Sequence, residues 1–236
     1  MPIFSTRSEM ENHDESVQKA LREGGMLPLY LETIKYPRTL HLPWSYSGKD
    51  DVALSDVRIF EGQEVVVTLK LDGENTNLYR RHIHARSLKP LAGLERSHIL
   101  ALHSSIAHEI PEGWRLCMEN LASVHSIEYD ETIPLAVLFS IWNDHNECLS
   151  WDDTVEWGQL LNVPAAPILY RGMWNEKLIR GLYQPYYQGN EMEGYVVRLA
   201  TSFPYSKFRC SVAKFVREGF IAGKHYKKGA IRQIGN

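Results

Sequence analysis

The sequence has little of several things that would place it quickly. It holds only three cysteines, Cys117, Cys148 and Cys210, in 236 residues. An odd, widely spaced set fits neither a disulfide framework nor a zinc site, and it suits a reducing compartment. No long apolar run occurs: the longest, near "IPLAVLFSIW", is too short to span a bilayer. The polar, acidic start "MPIFSTRSEMENHDES" has none of the marks of a signal or transit peptide. The expectation is therefore a soluble cytoplasmic protein that makes no membrane contact. Positive charge is not in excess either, with 26 Lys and Arg against 29 Asp and Glu and a net charge of −3. No global basic field draws in nucleic acid, so such binding has to rest on a local patch. Internal repeats, low-complexity tracts and clear linkers are missing as well.

What is present is a chain 44% hydrophobic, ample for a buried core. A short helix is read over about Ser16 to Arg22, stopped by Gly24-Gly25. "KYPRTLHLPWSYSG" reads as loop. Strand signals follow at Glu64–Lys70, Asn75–Arg81 and Ile83–Arg86. "LERSHILALHSSIAHEI" carries Leu94, Ile99, Leu102 and Ile106 at helical spacing, facing one side. "GWRLCMENL" and "PLAVLFSIW" read as strands. "SWDDTVEWGQLLNVP" reads as a helix capped at Ser150 or Asp152, and "NEKLIRGLY" as a shorter one. "EGYVVRLA" and "FRCSVAKFVR" are the last strands. The pattern is antiparallel-leaning α+β in one domain over residues 1–236.

Within this pattern, "VVVTLKLDGENTNLYRR" is odd. Lys70 ends a β-branched run, and Asp72-Gly73 follows as a tight turn, giving a hairpin into the next strand. Taken alone, that lysine points to solvent. Four later segments share the oddity: Arg86 closes "HIHARS", Glu119 ends "WRLCMEN", Glu193 opens "EGYVVR", and Lys214 lies inside "VAKFV". Each alone reads as a strand-edge charge. Together with Phe139 and Trp142 on another strand they suit a nucleotide polyphosphate. Cations would meet phosphates, one carboxylate a hard metal ion, another the ribose, and an aromatic face the base.

The order of these segments resembles the covalent nucleotidyltransferases, the superfamily of ATP-dependent DNA and RNA ligases and mRNA capping enzymes. "KLDG" (Lys70–Gly73) matches their lysine-x-aspartate-glycine nucleophile motif, and "ARS" around Arg86 the next conserved arginine. "MENL" at Glu119, "FSIW" from Phe139, "EGYVVR" from Glu193 and "VAKFV" around Lys214 follow in the family's order. "KLDGEN" and "ENLASVHSIEY" are most similar to the RNA-ligase branch. The resemblance implies an ATP-grasp-like ligase adenylation domain, with antiparallel sheets around a nucleotide cleft. It also implies ATP with Mg²⁺ (or Mn²⁺), and RNA bearing 5′-phosphate and 3′-hydroxyl ends as partner.

Residue by residue, the resemblance implies a catalytic group of Lys70, Asp72 and Lys214. Lys70 would attack the α-phosphorus of ATP and hold AMP as a phosphoramidate. Its pKa must then fall from about 10.4. Glu193 would help hold the metal, Lys214 would contact the α-phosphate, Glu119 the ribose and Phe139 the adenine. Arg86 would reach the nucleotide or the acceptor 5′-phosphate. DNA ligase, a GTP-using capping-type transferase and a non-catalytic end-binding protein are the alternatives.

The sequence departs from the family in two places. Val212 stands where many relatives have the first lysine of the fifth motif, and Lys207, Arg209 and Arg217 are candidate substitutes. The resemblance implies an accessory module after this motif, an OB-fold or a small helical domain, where the sequence shows only a short basic stretch; the expectation is a single domain with a basic tail and no OB-fold module. A protein partner supplying that module is the matching expectation. In the tail, Lys224, Lys227, Lys228 and Arg232 either track a phosphate backbone or form a solvated end. His82 and His84, alternating on one strand face, read as ordinary surface or core histidines, and Trp151 and Trp157 as residues that pack a helix. His125, in "SVHSIEY", is a candidate without an assigned role.

Overall fold

The computed structural model describes residues 33–48, 51–88, 91, 93–220 and 232. The helix read near Ser16 and the tail lysines lie outside them. Among the described residues, a five-stranded sheet holds β1 (Leu40–His41), β2 (Glu64–Lys70), β8 (Ile168–Met173), β11 (Gly194–Leu199) and β13 (Val212–Val216). Its order is β1-β13-β11-β2-β8, antiparallel except for the β1–β13 pair. A six-stranded antiparallel sheet holds β3 (Glu74–Tyr79), β4 (Ile83–Ala85), β5 (Arg115–Asn120), β6 (Ala136–Trp142), β7 (Glu147–Cys148) and β12 (Phe203–Pro204). Its order is β12-β7-β6-β5-β3-β4. A two-stranded ribbon pairs β9 (Tyr186–Tyr187) with β10 (Asn190–Glu191). Helices α1 (Ser97–Ile106), α2 (Trp151–Leu160) and α3 (Glu176–Arg180) complete the α+β arrangement. No helix of the described residues is long and apolar enough to cross a membrane.

β2 reads as an unbroken apolar run because it is central and covered on both sides, so its five residues Val65–Leu69 are all buried. The main core packs Val65, Val66, Val67 and Leu69 with Val197, Ala213, Phe60 and Ile179, and continues into Leu121, Ile127 and Tyr129. A second core joins α1 and α2 to the six-stranded sheet through Ile99, Ile106, Leu116 and Leu138, with Trp157 against it. Ser150 caps α2 by accepting from Asp153 N at 3.1 Å, as the sequence indicates. Trp151 is buried at the start of α2, and Tyr79 stacks on His82 with ring centroids 4.3 Å apart. Both are packing roles.

Two expectations fail. Leu94 is 80% exposed, because the chain enters α1 through a separate 3₁₀ turn that takes it off the helix's apolar face. The hairpin at Asp72-Gly73 does not form: β2 and β3 belong to different sheets. Asp72-Gly73 instead carries the chain across. A Cβ on Gly73 would lie 2.5 Å from the Asn120 carbonyl oxygen, so glycine is needed for close approach and not for a turn.

Candidate active site

The crossing leaves a cavity of about 570 Å³ between the two sheets. Register decides what faces it. Thr68 of β2 pairs with Val196 of β11, and Val196 with Lys214 of β13, so the three form one row across the sheet. Alternation then puts Lys70, Arg198 and Val212 on the same face, and all of these residues line the cavity. From the opposite side come Glu74, Asn75, Glu119 and Phe139, with Arg86 just beyond β4.

Lys70 Nζ lies 2.7 Å from a carboxylate oxygen of Glu193. Glu193 is 4% exposed and stands behind the lysine, not in the cavity wall. Its neighbour explains the placement: Gly194 pairs with Lys70 on one side and Val216 on the other. A Cβ there would fall 2.0 Å from the Phe215 carbonyl oxygen. Only glycine lets β11 approach β13 closely enough to set Glu193 against Lys70.

Burial pulls the Lys70 pKa down, but Glu193, Glu119 and Asp72 outweigh it, and the net direction is upward. This corrects the expectation of a lowered value. The ammonium form is favoured because three carboxyl groups face it. Burial raises Glu193, with Lys70 pulling the other way. Glu119 is pushed up to about 8, first by burial and then by the Glu193 and Asp72 charges. Its Oε1 accepts from Gly73 N at 3.1 Å. Lys214 moves down, through burial and the like charge of Lys70.

The far end of the cavity is aromatic. The Tyr36 ring meets Phe139 and Phe208 edge-on, each at 5.3 Å. Arg198, 4% exposed, donates to Leu149 O at 2.6 Å and Leu199 O at 3.1 Å. Neither Tyr36 nor Arg198 was singled out in the sequence. Arg198 carries the same signal as Lys70 and Lys214, a cation inside an apolar strand. Tyr36 sits in a loop-like stretch with no periodicity to mark it.

Of the predicted residues, Lys70, Arg86, Glu119, Phe139 and Lys214 line the cavity, and His125 joins them. Asp72 does not. Its carboxylate accepts from Ser126 N at 2.6 Å and Ile127 N at 3.1 Å, so it ties down a loop. Trp142 is fully buried and offers no face to a base. Val212 keeps its place beside Lys214 on the cavity face. Lys207, Arg209 and Arg217 do not line it, and Arg217 pairs with Glu191 at 3.0 Å.

No cluster of three or more His, Cys, Asp or Glu is arranged to hold a metal among the described residues. Glu193 and Glu119 still fit a magnesium-like ion, which takes one or two carboxylates and completes its shell with water and substrate phosphates.

The fold and cleft are those of a ligase-type nucleotidyltransferase. The RNA ligase family model matches residues 63–216, and the chain belongs to that family. An Aquifex aeolicus protein assigned as an ATP-dependent DNA ligase is similar in structure, with a TM-score of 0.55 and 17% identity. That match covers 78% of this chain and 50% of the other. A Naegleria gruberi RNA ligase variant with AMP and Mn gives a TM-score of 0.51 at 14% identity, over 79% of this chain and 62% of that one. The chain thus spans one half to three fifths of these relatives. No curated protein matches it.

Proposed function

We propose that the cleft catalyses ATP-dependent sealing of RNA 5′-phosphate and 3′-hydroxyl ends, with Lys70 as the nucleophile. The observation that carries this reading is the Lys70–Glu193 pair at 2.7 Å. It stands on a cavity shared by Glu119, Phe139, Arg86 and Lys214, within the segment that matches the RNA ligase family. RNA is favoured over DNA because of that family.

Lys70 must lose its proton before it can attack. Glu193 is in place to accept it, and burial makes its carboxyl a better base than a solvated glutamate. The Nζ–Pα bond then forms as the bond from Pα to the bridging oxygen breaks, and pyrophosphate leaves. Lys214 offsets the charge that builds on the α-phosphate. Glu119 accepts from the ribose, and Phe139 stacks on adenine. A 5′-phosphate oxygen, steered by Arg86, next takes the adenylyl group from Lys70. The 3′-hydroxyl oxygen finally attacks that 5′-phosphorus and expels AMP. Glu193 and Glu119 would hold a divalent cation, which would supply positive charge against the triphosphate.

The test is incubation with α-labelled ATP or GTP and Mg²⁺ or Mn²⁺, followed by a denaturing gel. ATP should label the chain, and Glu193→Gln should remove the metal-dependent label. Labelled RNA and DNA ends then report the substrate, with RNA expected to be joined faster. A chain that takes up no nucleotide, or that labels after Lys70→Ala, overturns the reading.

A further inference from the structure

Arg232 belongs to a basic stretch of sequence, yet it is 8% exposed and its guanidinium fills a cage of five backbone carbonyls. Nε donates to Tyr129 O at 3.0 Å. Nη1 donates to Leu121 O and Pro134 O, each at 3.4 Å. Nη2 donates to Ile133 O at 2.8 Å and to Asp130 O. The backbone N adds a bond to Ala122 O at 2.9 Å. Guanidinium has five N–H donors and no acceptor, so the cage matches its full capacity. No donor is left for a nucleic-acid phosphate, which corrects the reading of Arg232 as part of a phosphate-tracking or solvated tail.

Every one of these oxygens belongs to the loop that joins β5 to β6, and that loop reaches the nucleophile. Tyr129 Oη accepts from Asp72 N at 2.8 Å, and the Arg232 guanidinium lies 5.9 Å from the Tyr129 ring centroid. The Asp72 carboxylate holds Ser126 N and Ile127 N in return. His125, next to Ser126, lines the cavity. Two contacts therefore connect Arg232 to the residue two places after Lys70.

We propose that Arg232 is a positioning residue for Lys70, locking the β5–β6 loop so that Tyr129 and Asp72 fix the exit of β2. This rests on the reading of Lys70 as nucleophile.

Single-turnover labelling of the full chain with α-labelled ATP tests it, because amplitude reports the folded fraction and the rate constant reports positioning. Arg232→Ala should slow the rate constant about ten-fold, as misplacement of a reacting group does, with little change in the ATP concentration giving half-maximal rate. Arg232→Lys should recover only part, since one ammonium cannot span five carbonyls. Tyr129→Phe should slow labelling less. The double variant should be no slower than Arg232→Ala alone, because both act along one path. An unchanged rate constant in folded Arg232→Ala, or losses that multiply, overturns the proposal. If the wild-type chain forms no adduct, the nucleophile reading falls, and amide hydrogen exchange decides the positioning. Lost protection at Asp72, Ser126 and Ile127 in Arg232→Ala, with β11 and β13 unaffected, supports it; unaltered protection there overturns it.

Discussion

The two sheets divide the chemistry of the cleft. The five-stranded sheet presents cations, Lys70, Lys214 and Arg198, from the adjacent strands β2, β13 and β11. The six-stranded sheet presents Glu119, Glu74, Asn75 and Phe139. Cations so close on one buried face repel one another, and burial together with the Lys70 charge moves the Lys214 pKa down. They are tolerable because Glu193, just ahead of β11, lies 2.7 Å from Lys70, and Glu119 faces them from across the cavity, its ionisation tied to theirs. The charge state of each sheet thus depends on the other. On the five-stranded side, positions are fixed by backbone register, where a single glycine sets the spacing. On the six-stranded side, Asn75 and Glu119 are register partners across β3 and β5, and the Glu119 carboxylate accepts from Gly73 N.

The largest effect should come from breaking the pair that joins Lys70 to Glu193. Lys70→Ala should reduce covalent nucleotide labelling to background, and Lys70→Arg should do the same because guanidinium stays protonated. Removing the lysine also leaves a carboxyl 4% exposed without its partner, costing about 3 kcal/mol where it must ionise. Glu193 already has a raised pKa, so its folded-state stabilisation is present at low pH and lost as pH rises. The Lys70→Ala deficit in urea unfolding should therefore widen from pH 5 to pH 9. A deficit independent of pH would remove the pair from this role.

Next in size is the spacing itself. Gly194→Ala puts a Cβ 2.0 Å from a backbone oxygen that cannot rotate away, so strands β11 and β13 must separate. A loss of about 3 kcal/mol or more is expected. Gly62 is the control: it has φ +71° but no atom within 4 Å of an added Cβ, and Gly62→Ala should cost about 1 kcal/mol, the left-handed penalty alone. Equal losses in denaturant unfolding would show that register on the five-stranded side does not depend on close approach.

The same contrast explains what was legible in the sequence. The five-stranded side was easier to read, because Lys70 and Lys214 stand out in the apolar strands β2 and β13, although Arg198 in β11 was passed over. β8 was missed: "ILYRGM" is an edge strand with no buried residue and so no pattern. On the six-stranded side, β7 and β12 are two residues each and carry no periodicity. Asp72-Gly73 misled because the dipeptide favours a turn locally, while its actual contacts lie some fifty residues away, at Asn120, Ser126 and Ile127. Arg232 was unreadable for the same reason: a cage of carbonyls leaves no trace in side-chain pattern.

The smallest expected effect tests the six-stranded side through Glu119. Its folded pKa of about 8 lies above the ordinary 4.5, so the folded chain holds a proton that the unfolded chain releases. The stability this contributes is fully present below pH 4.5 and is lost as pH rises through about 8. Glu119→Gln keeps the shape and never ionises, so it escapes that loss. The variant should match wild type near pH 5 and exceed it at pH 9. One pKa unit is about 1.4 kcal/mol, but Lys70 loses a supporting charge in the variant, so a gain on the order of 2 kcal/mol is expected. The gain should shrink in the presence of a divalent cation, which stabilises the ionised carboxylate of the wild type. Parallel stability curves for the two proteins from pH 5 to pH 9 would mean that Glu119 is ionised throughout. The two sheets would then not be coupled through this carboxylate.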